Sequence, residues 1–332
     1  MTAAKLKSKV SLKRHRQPQK GKKPVPSDSK LKTTLEIAGR KLKVSNLAKV
    51  FYSVTGFTKG EMLNYYIRIA PLILPHLANR PLTMKRYPNG AQGKFFYQKE
   101  CPAPRPDWIK TIPIWSSSNN RTINFCNATD LPTLVWAANL AALELHTSLS
   151  VTPKVNQPSL LVFDLDPGLP ATIVDCAQVG LLLKDYFDKH GLQSFPKTSG
   201  SKGLQIYIPL NTPVSYDMTK SFARILATRF QEKYPNLIVA NMKKVLRTGK
   251  VFIDWSQNDE HKTTVCVYSL RARERPTIST PVTWEEVLDV LEQKNPNLLS
   301  FEASQVLDRT DKLGDLFAPV LTLKQKLPVI QK

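Results

Sequence analysis

The sequence is short of acid. Its 332 residues hold 26 Asp and Glu against 48 Lys and Arg, a net charge of +22, which points to a polyanionic partner. It also lacks any apolar run of about 18 residues, which excludes a membrane-spanning helix, and no apolar segment of signal-peptide type opens the chain. A cytoplasmic protein, associated with no membrane, is expected. Cysteine is scarce. Cys101, Cys126, Cys176 and Cys266 show no C-x-x-C spacing, which argues against a structural zinc and against a disulfide framework; free, mostly buried thiols are the expectation. There is no internal repeat, no Walker A loop and no Lys-x-Asp-Gly nucleotidyl-lysine motif.

What is present begins with charge placement. Residues 1–32 carry eleven Lys or Arg and a single acid, Asp28, so ten of the net charges sit there and twelve on the rest. With almost no large apolar residue, residues 1–34 cannot offset the entropy of ordering and are expected as a disordered basic tail. Such a tail adds sequence-independent attraction to phosphate or is simply solvated. Residues 35–300 are expected as one catalytic domain and 301–332 as a peripheral extension.

The most informative stretch is Leu161-Val162-Phe163-Asp164-Leu165-Asp166-Pro167-Gly168. It reads as a buried strand stopped by Pro-Gly. Strand side chains alternate, so Asp164 and Asp166 share one face roughly 7 Å apart. Two acids placed together repel unless a cation joins them, and hard divalent ions such as Mg²⁺ or Mn²⁺ take oxygen ligands. Two unrelated, solvated acids at a strand end are the plain alternative.

A second strand, Val251-Phe252-Ile253-Asp254, again ends in an acid and is followed by Trp255-Ser256-Gln257-Asn258. Asp254 supplies the third carboxylate that a two-metal site needs. Between the two strands lies Lys197-Thr198-Ser199-Gly200-Ser201-Lys202-Gly203, a hydroxyl- and glycine-rich turn of phosphate-binding type. Further elements surround these. Strands are expected over 35–37 and 41–44, and a helix over 59–76 that Pro71 and Pro75 kink or divide. A hairpin joins Leu82–Gly90 to Phe95-Phe96-Tyr97, with cations beside aromatics that stack bases at about 1–3 kcal/mol each. Helices are expected over 131–146, 171–190 and 217–234, and a late one opens near residue 283. Over 263–273, a β-rich run places Arg271 and Arg273 on one face, suited to a triphosphate.

In order, these motifs resemble the primase-polymerase domain of bacterial DNA ligase D, within the archaeo-eukaryotic primase superfamily. The resemblance covers about residues 40–290. It is carried by Leu47 to Val50, Pro75-His76-Leu77, Arg80-Pro81-Leu82, Lys85 to Gly90, Glu144-Leu145-His146, the two Asp strands, Lys197 to Leu204, and Tyr268 to Arg273. It implies an α+β fold with a mainly antiparallel catalytic sheet like an RNA-recognition-motif palm, flanking helices and an additional amino-terminal α/β part.

It further implies a polymerase adding nucleotides, ribonucleotides preferred, to primers at DNA breaks in non-homologous end joining, with NTP substrates and two Mn²⁺ or Mg²⁺ ions. Asp164, Asp166 and Asp254 would hold the metals. Lys85, Phe95, Phe96, His146, Ser199, Lys202, Gln205, Arg247, Gln257, Arg271 and Arg273 would hold the nucleotide, and Asn46, Lys49 and Lys59 the 5′-phosphate of the downstream strand. Partners would be DNA, a separate DNA ligase and the end-binding protein Ku, at the nucleoid. One position departs from the family: Gly203-Leu204-Gln205 stands where Gly-Leu-His is usual. Gln205 can donate a hydrogen bond to phosphate but cannot carry charge, which leaves open a non-catalytic DNA-end binder. A metal-dependent nuclease could use the same carboxylates.

Overall fold

The computed structural model describes residues 32–329. The expected tail lies outside them apart from residues 32–34, which are ordered as the start of a strand. β1 (Lys32–Ile37) and β2 (Arg40–Ser45) form an antiparallel hairpin, and β3 (Val50–Tyr52) pairs with β4 (Phe57–Thr58). Thr58 and Glu61 then make a capping box that starts α1 (Lys59–Leu77). This helix passes undivided through Pro71 and Pro75. Its buried face, with Tyr66, Ile69, Ile73 and Leu77 all 1 % exposed or less, outweighs a cost of about 3 kcal/mol for an interior proline.

Two sheets follow. The first contains β5 (Leu82–Arg86), β6 (Phe96–Gln98), β7 (Thr111–Ser116), β8 (Arg121–Cys126) and β9 (Ala142–Thr147), with α2 (Leu131–Asn139) between the last two. The expected helix over 131–146 is therefore half helix and half strand. Ala141, at φ 62, ends the helical turn, and all six residues of β9 are buried. A strand buried on both faces shows no alternation in its sequence, so it reads like a continuation of the apolar helix before it.

The second sheet is the palm. It is built by β10 (Leu160–Pro167), α3 (Ile173–Lys189), β11 (Phe195–Thr198), β12 (Leu204–Pro209), α4 (Tyr216–Lys233), β13 (Ile238–Val239) and β14 (Val251–Asp254). The strand order is β11-β12-β10-β14-β13, antiparallel except for the last pair. Leaving β13 aside, this is a βαββαβ unit with its first strand at the centre, the antiparallel palm that was expected. Leu161, Phe163 and Leu165 pack with residues of α3 and α4 in one apolar cluster, whereas Leu160 and Val162 belong to the other. Alternation therefore sends Asp164 and Asp166 away from the helices. β15 (Thr264–Val265) joins the first sheet beside β9.

The rest of the chain wraps this frame. α5 (Trp284–Gln293) starts at a Thr283–Glu286 capping box, and α6 (Ala303–Leu313) and α7 (Pro319–Thr322) follow. Val306, Phe317 and Val320 are buried in the main core, so residues 303–322 pack as part of the body. Asp315 fastens it, accepting from His76 Nε2 at 2.9 Å and from the Tyr268 hydroxyl at 2.7 Å. The expectation of four free thiols is corrected: Cys101 and Cys126 form a disulfide across 25 residues, and Cys176 and Cys266 are free and buried. The spacing carried no signal because the pair is made by the fold, in which the Cys101 N–H donates to the Asn124 carbonyl in β8.

Candidate active site

Strand register assembles the acids. Asp164 lies opposite Asp254 on one side and opposite Gln205 on the other, and Gln205 lies opposite Lys197. Directly opposed residues of antiparallel strands project to the same face. Lys197, Gln205, Asp164 and Asp254 thus form one row across four strands, with Asp166 two residues along on the same face. Burial, helped by the Asp166 and Asp254 charges, pushes the Asp164 carboxyl up to about 7, although the Gln205 hydrogen bond favours its charged form. Asp254 is held by Ser256 N–H at 3.0 Å and Gln257 Nε2 at 3.1 Å. Asn258 fixes that turn by pairing its amide with both backbone groups of Val162.

A cleft of about 420 Å³ opens between this row and the first sheet. Asp164, Asp166, His146, Ser199, Lys202, Gln205, Gln257, Arg271 and Arg273 line it. Asp254 lies beside Asp164 in the row, and Lys85 lies beside Glu144 in the opposing wall. In the opposing wall, Lys85 pairs in register with Glu144, and Thr83 with His146. Glu144 is the hub: it accepts from His146 Nε2 at 2.9 Å and from the Ala272 N–H at 3.0 Å, and meets Arg271 at 3.5 Å and Lys85 at 3.6 Å. Burial opposes its charge, but the His146 hydrogen bond with Arg271 and Lys85 outweighs burial and holds the carboxyl well below its usual range. Burial also lowers His146 and Lys85, against the pull of Glu144.

The expected arginine strand is shorter than the reading: β15 ends at Val265, and Arg271 and Arg273 follow in irregular chain. They still converge on the cleft, because Arg271 donates to the Ser199 carbonyl. The Ser199 turn is closed by its own hydroxyl, which accepts from the Ser201 and Gly203 N–H groups at 3.2 Å. Gly200 is required there: at φ +65 its Cβ would stand 2.6 Å from the Ile278 backbone. Lys202 reaches back to the Pro167 carbonyl at 2.9 Å.

The aromatic pair divides. Phe95 sits 4.2 Å from the Lys85 ammonium, whereas Phe96 covers Arg86 on the other face of β6. Both are about half exposed, so neither ring belongs to the core. Arg247 packs 3.6 Å above the Phe252 ring, opposite Asp166 in register. Asn46, Lys49 and Lys59 come together at the start of α1. Lys49 N–H donates to the Asn46 carbonyl, and Lys59 N–H to the Lys49 carbonyl. Lys59 is buried against the Ser45 carbonyl and Asn139, both at 2.8 Å. Burial, with the Lys49 charge beside it, lowers it to about 8.

Three side chains in the site were not singled out from the sequence. Lys197 is 1 % exposed and burial draws its ammonium down to about 7; its place opposite Gln205 is visible only once the hairpin register is known. Glu144 was hidden by the helical reading of its strand. Tyr97 lines the cleft and meets His146 edge-on at 6.1 Å; its signal was the i, i+2 spacing from Phe95.

Among the described residues, no group of three or more His, Cys, Asp or Glu side chains is arranged to hold a metal ion as it stands. The donor chemistry nevertheless fits a hard divalent cation. Asp164 and Asp166 face the cleft without a cation in contact, and the rise of Asp164 comes first from burial and then from the Asp166 and Asp254 charges, which the buried Lys197 only partly offsets. Asp254 faces the same way and spends its oxygens on Ser256 and Gln257.

An antiparallel βαββαβ palm with carboxylates on its open face and a basic wall opposite defines the primase-polymerase class. Comparison with known proteins agrees. The family model "LigD, primase-polymerase domain" matches residues 58–317. The multifunctional non-homologous end joining protein LigD of Mycolicibacterium smegmatis is 38 % identical over 282 residues, covering 84 % of this chain and 36 % of that protein. The bifunctional LigD of Bacillus subtilis is 33 % identical over 275 residues, covering 82 % and 43 %. The polymerase domain of Mycobacterium tuberculosis ligase D, solved in complex with DNA, superposes with a TM-score of 0.78 at 36 % identity, covering 84 % of this chain and 98 % of that one. The chain belongs to the LigD primase-polymerase domain family. It spans little more than a third of the length of the M. smegmatis relative.

Proposed function

We propose that this domain adds nucleotides to primer 3′ ends at DNA breaks and gaps in non-homologous end joining, ribonucleotides more readily than deoxyribonucleotides. The observation that carries the reading is the opposition of the two walls: Asp164, Asp166 and Asp254 on one, and the Lys85, His146 and Arg271 group gathered by Glu144 on the other. Asp164, Asp166 and Asp254 would hold Mg²⁺ or Mn²⁺. When bound, such ions supply activation of the 3′-hydroxyl and neutralisation of the departing pyrophosphate.

The protein's own groups bind and orient. Lys85, Lys202, Arg271 and Arg273 take the triphosphate as fixed charges, with Ser199 and the Gly200–Gly203 backbone close to its oxygens. Phe95 offers a stacking face beside Lys85, Phe96 an exposed one on the opposite face of its strand, and Arg247 and Gln257 border the acids. Lys49 and Lys59, which have no carboxylate partner among the described residues, take a 5′-phosphate with Asn46. A separate ligase activity and Ku complete the pathway in the cytoplasm at the nucleoid. Among the described residues no helix is long and apolar enough to cross a membrane. Incubation of a labelled, gapped primer-template with Mn²⁺ and NTPs tests the reading: a lengthened primer supports it, and an unchanged or shortened one refutes it.

A further inference from the structure

The row that carries the opposed carboxylates begins with a lysine. Lys197 is 1 % exposed, and its ammonium touches no carboxylate: it donates to Gln205 Oε1 and to Ser279 Oγ, the latter at 2.6 Å. Gln205 in turn donates from Nε2 to Asp164 Oδ1 at 3.0 Å. When Lys197 is an ammonium and Asp164 a carboxylate, the amide has only one way to lie. An ammonium offers donors alone and a carboxylate acceptors alone, so the oxygen must face Lys197 and the NH₂ must face Asp164. Without the ammonium, only the Tyr207 hydroxyl, 3.5 Å from Gln205 Oε1, remains on that side; a hydroxyl can donate or accept, so it selects neither orientation, and the wrong one sets an oxygen against the Asp164 carboxylate.

We propose that Lys197 is a positioning residue that acts through Gln205, orienting the amide so that it holds Asp164 Oδ1 and leaves the second oxygen for a divalent cation. The inference rests on the polymerase reading above. It also gives Gln205 a role other than phosphate contact, since both ends of its amide are engaged inside the row. A neutral imidazole at the same position offers the same pair of ends, one acceptor nitrogen and one donor N–H, which makes Gln a workable replacement for the family's His.

The test is Mn²⁺ binding by the full chain, followed through the spectroscopic signal of the free ion, with primer extension measured alongside. Groups that orient a metal ligand typically change metal affinity by about 10- to 100-fold. Lys197→Met is expected to weaken Mn²⁺ binding within that range, and Lys197→Gln, which can still donate to Gln205 Oε1 although it can also accept, by less than Lys197→Met. Excess Mn²⁺ should restore extension by Lys197→Met, which it would not do for a packing defect. Gln205→Met should match Lys197→Met, and the double variant should be no worse than Gln205→Met alone, because both changes cut one link.

Should Lys197→Met not fold, Gln205→Met and Lys197→Gln decide the matter by themselves. A folded Lys197→Met or Gln205→Met that binds Mn²⁺ like the wild type, or losses that simply add, overturns the inference while leaving the polymerase reading intact. A wild-type chain that neither binds Mn²⁺ nor extends primers overturns both.

Discussion

The two walls of the cleft solve opposite electrostatic problems. On the first-sheet wall, one buried carboxylate, Glu144, is outnumbered by the cations it collects, and its affinity for a proton is pulled far down. On the palm wall, three carboxylates share a face with only a buried lysine, which reaches Asp164 through an amide, and Asp164 is pushed up to about 7. One wall is left with an excess of positive charge and the other with an excess of negative charge. On the proposed reading the two sides take different tasks, phosphate on the cationic side and metal on the acidic side.

The contrast breaks most completely at Asp164. Asp164→Ala is expected to lower primer extension by at least about 1,000-fold while gel-shift affinity for the same DNA stays unchanged; residual extension near wild type would dissolve the distinction between the walls. Next in size is Glu144→Gln, which leaves Lys85 and Arg271 without their counter-charge. Removing one member of a buried ion group costs about 3–5 kcal/mol, so a lowered urea midpoint and a raised NTP KM are expected. An unchanged midpoint would show that the cations organise themselves.

A subtler difference appears with pH. Asp164 binds its proton up to about pH 7 in the folded chain, against about 4 for an unfolded aspartate. Between those values the folded state holds a proton that the unfolded state has released, so this group lowers stability as pH rises through the window, with no further loss above it. A cation that binds the ionised form offsets the loss. The Tm increase on adding Mn²⁺ should therefore be larger near pH 8 than near pH 5.5; equal increases would contradict the charge imbalance on the palm. Smallest is the effect at the end pocket. Lys49→Ala with Lys59→Ala should reduce the preference for a 5′-phosphorylated gap several-fold and flatten the salt dependence of binding, and an unaltered preference would remove that pocket from the account.

Much of the palm wall was legible in the residue pattern, whereas Lys85 and His146 of the opposite wall were reached through the family resemblance and the hub between them, Glu144, was not. Asp164 and Asp166 announce themselves because a half-buried strand alternates, and Pro-Gly marks its end. The Ser199 to Gly203 turn is readable from its glycines and hydroxyls. Glu144 and His146 were present as a motif but assigned to a helix, since β9 is buried on both sides and its neighbours are apolar throughout. Lys197 depends on hairpin register, and the Cys101–Cys126 pair on tertiary contact, neither of which a linear pattern encodes. Asp254 could be suspected from its strand but not placed; only the pairing of β10 with β14 sets it opposite Asp164.

That pairing is also where the account is most exposed. Extension of a gapped, 5′-phosphorylated primer-template by Asp254→Ala, with Mn²⁺ and either NTPs or dNTPs, measures whether the remote acid belongs to the same centre as the other two. The wild-type chain is expected to lengthen the primer, faster with NTPs, and Asp254→Ala to lengthen it with neither. Extension by Asp254→Ala at the wild-type rate would contradict that expectation.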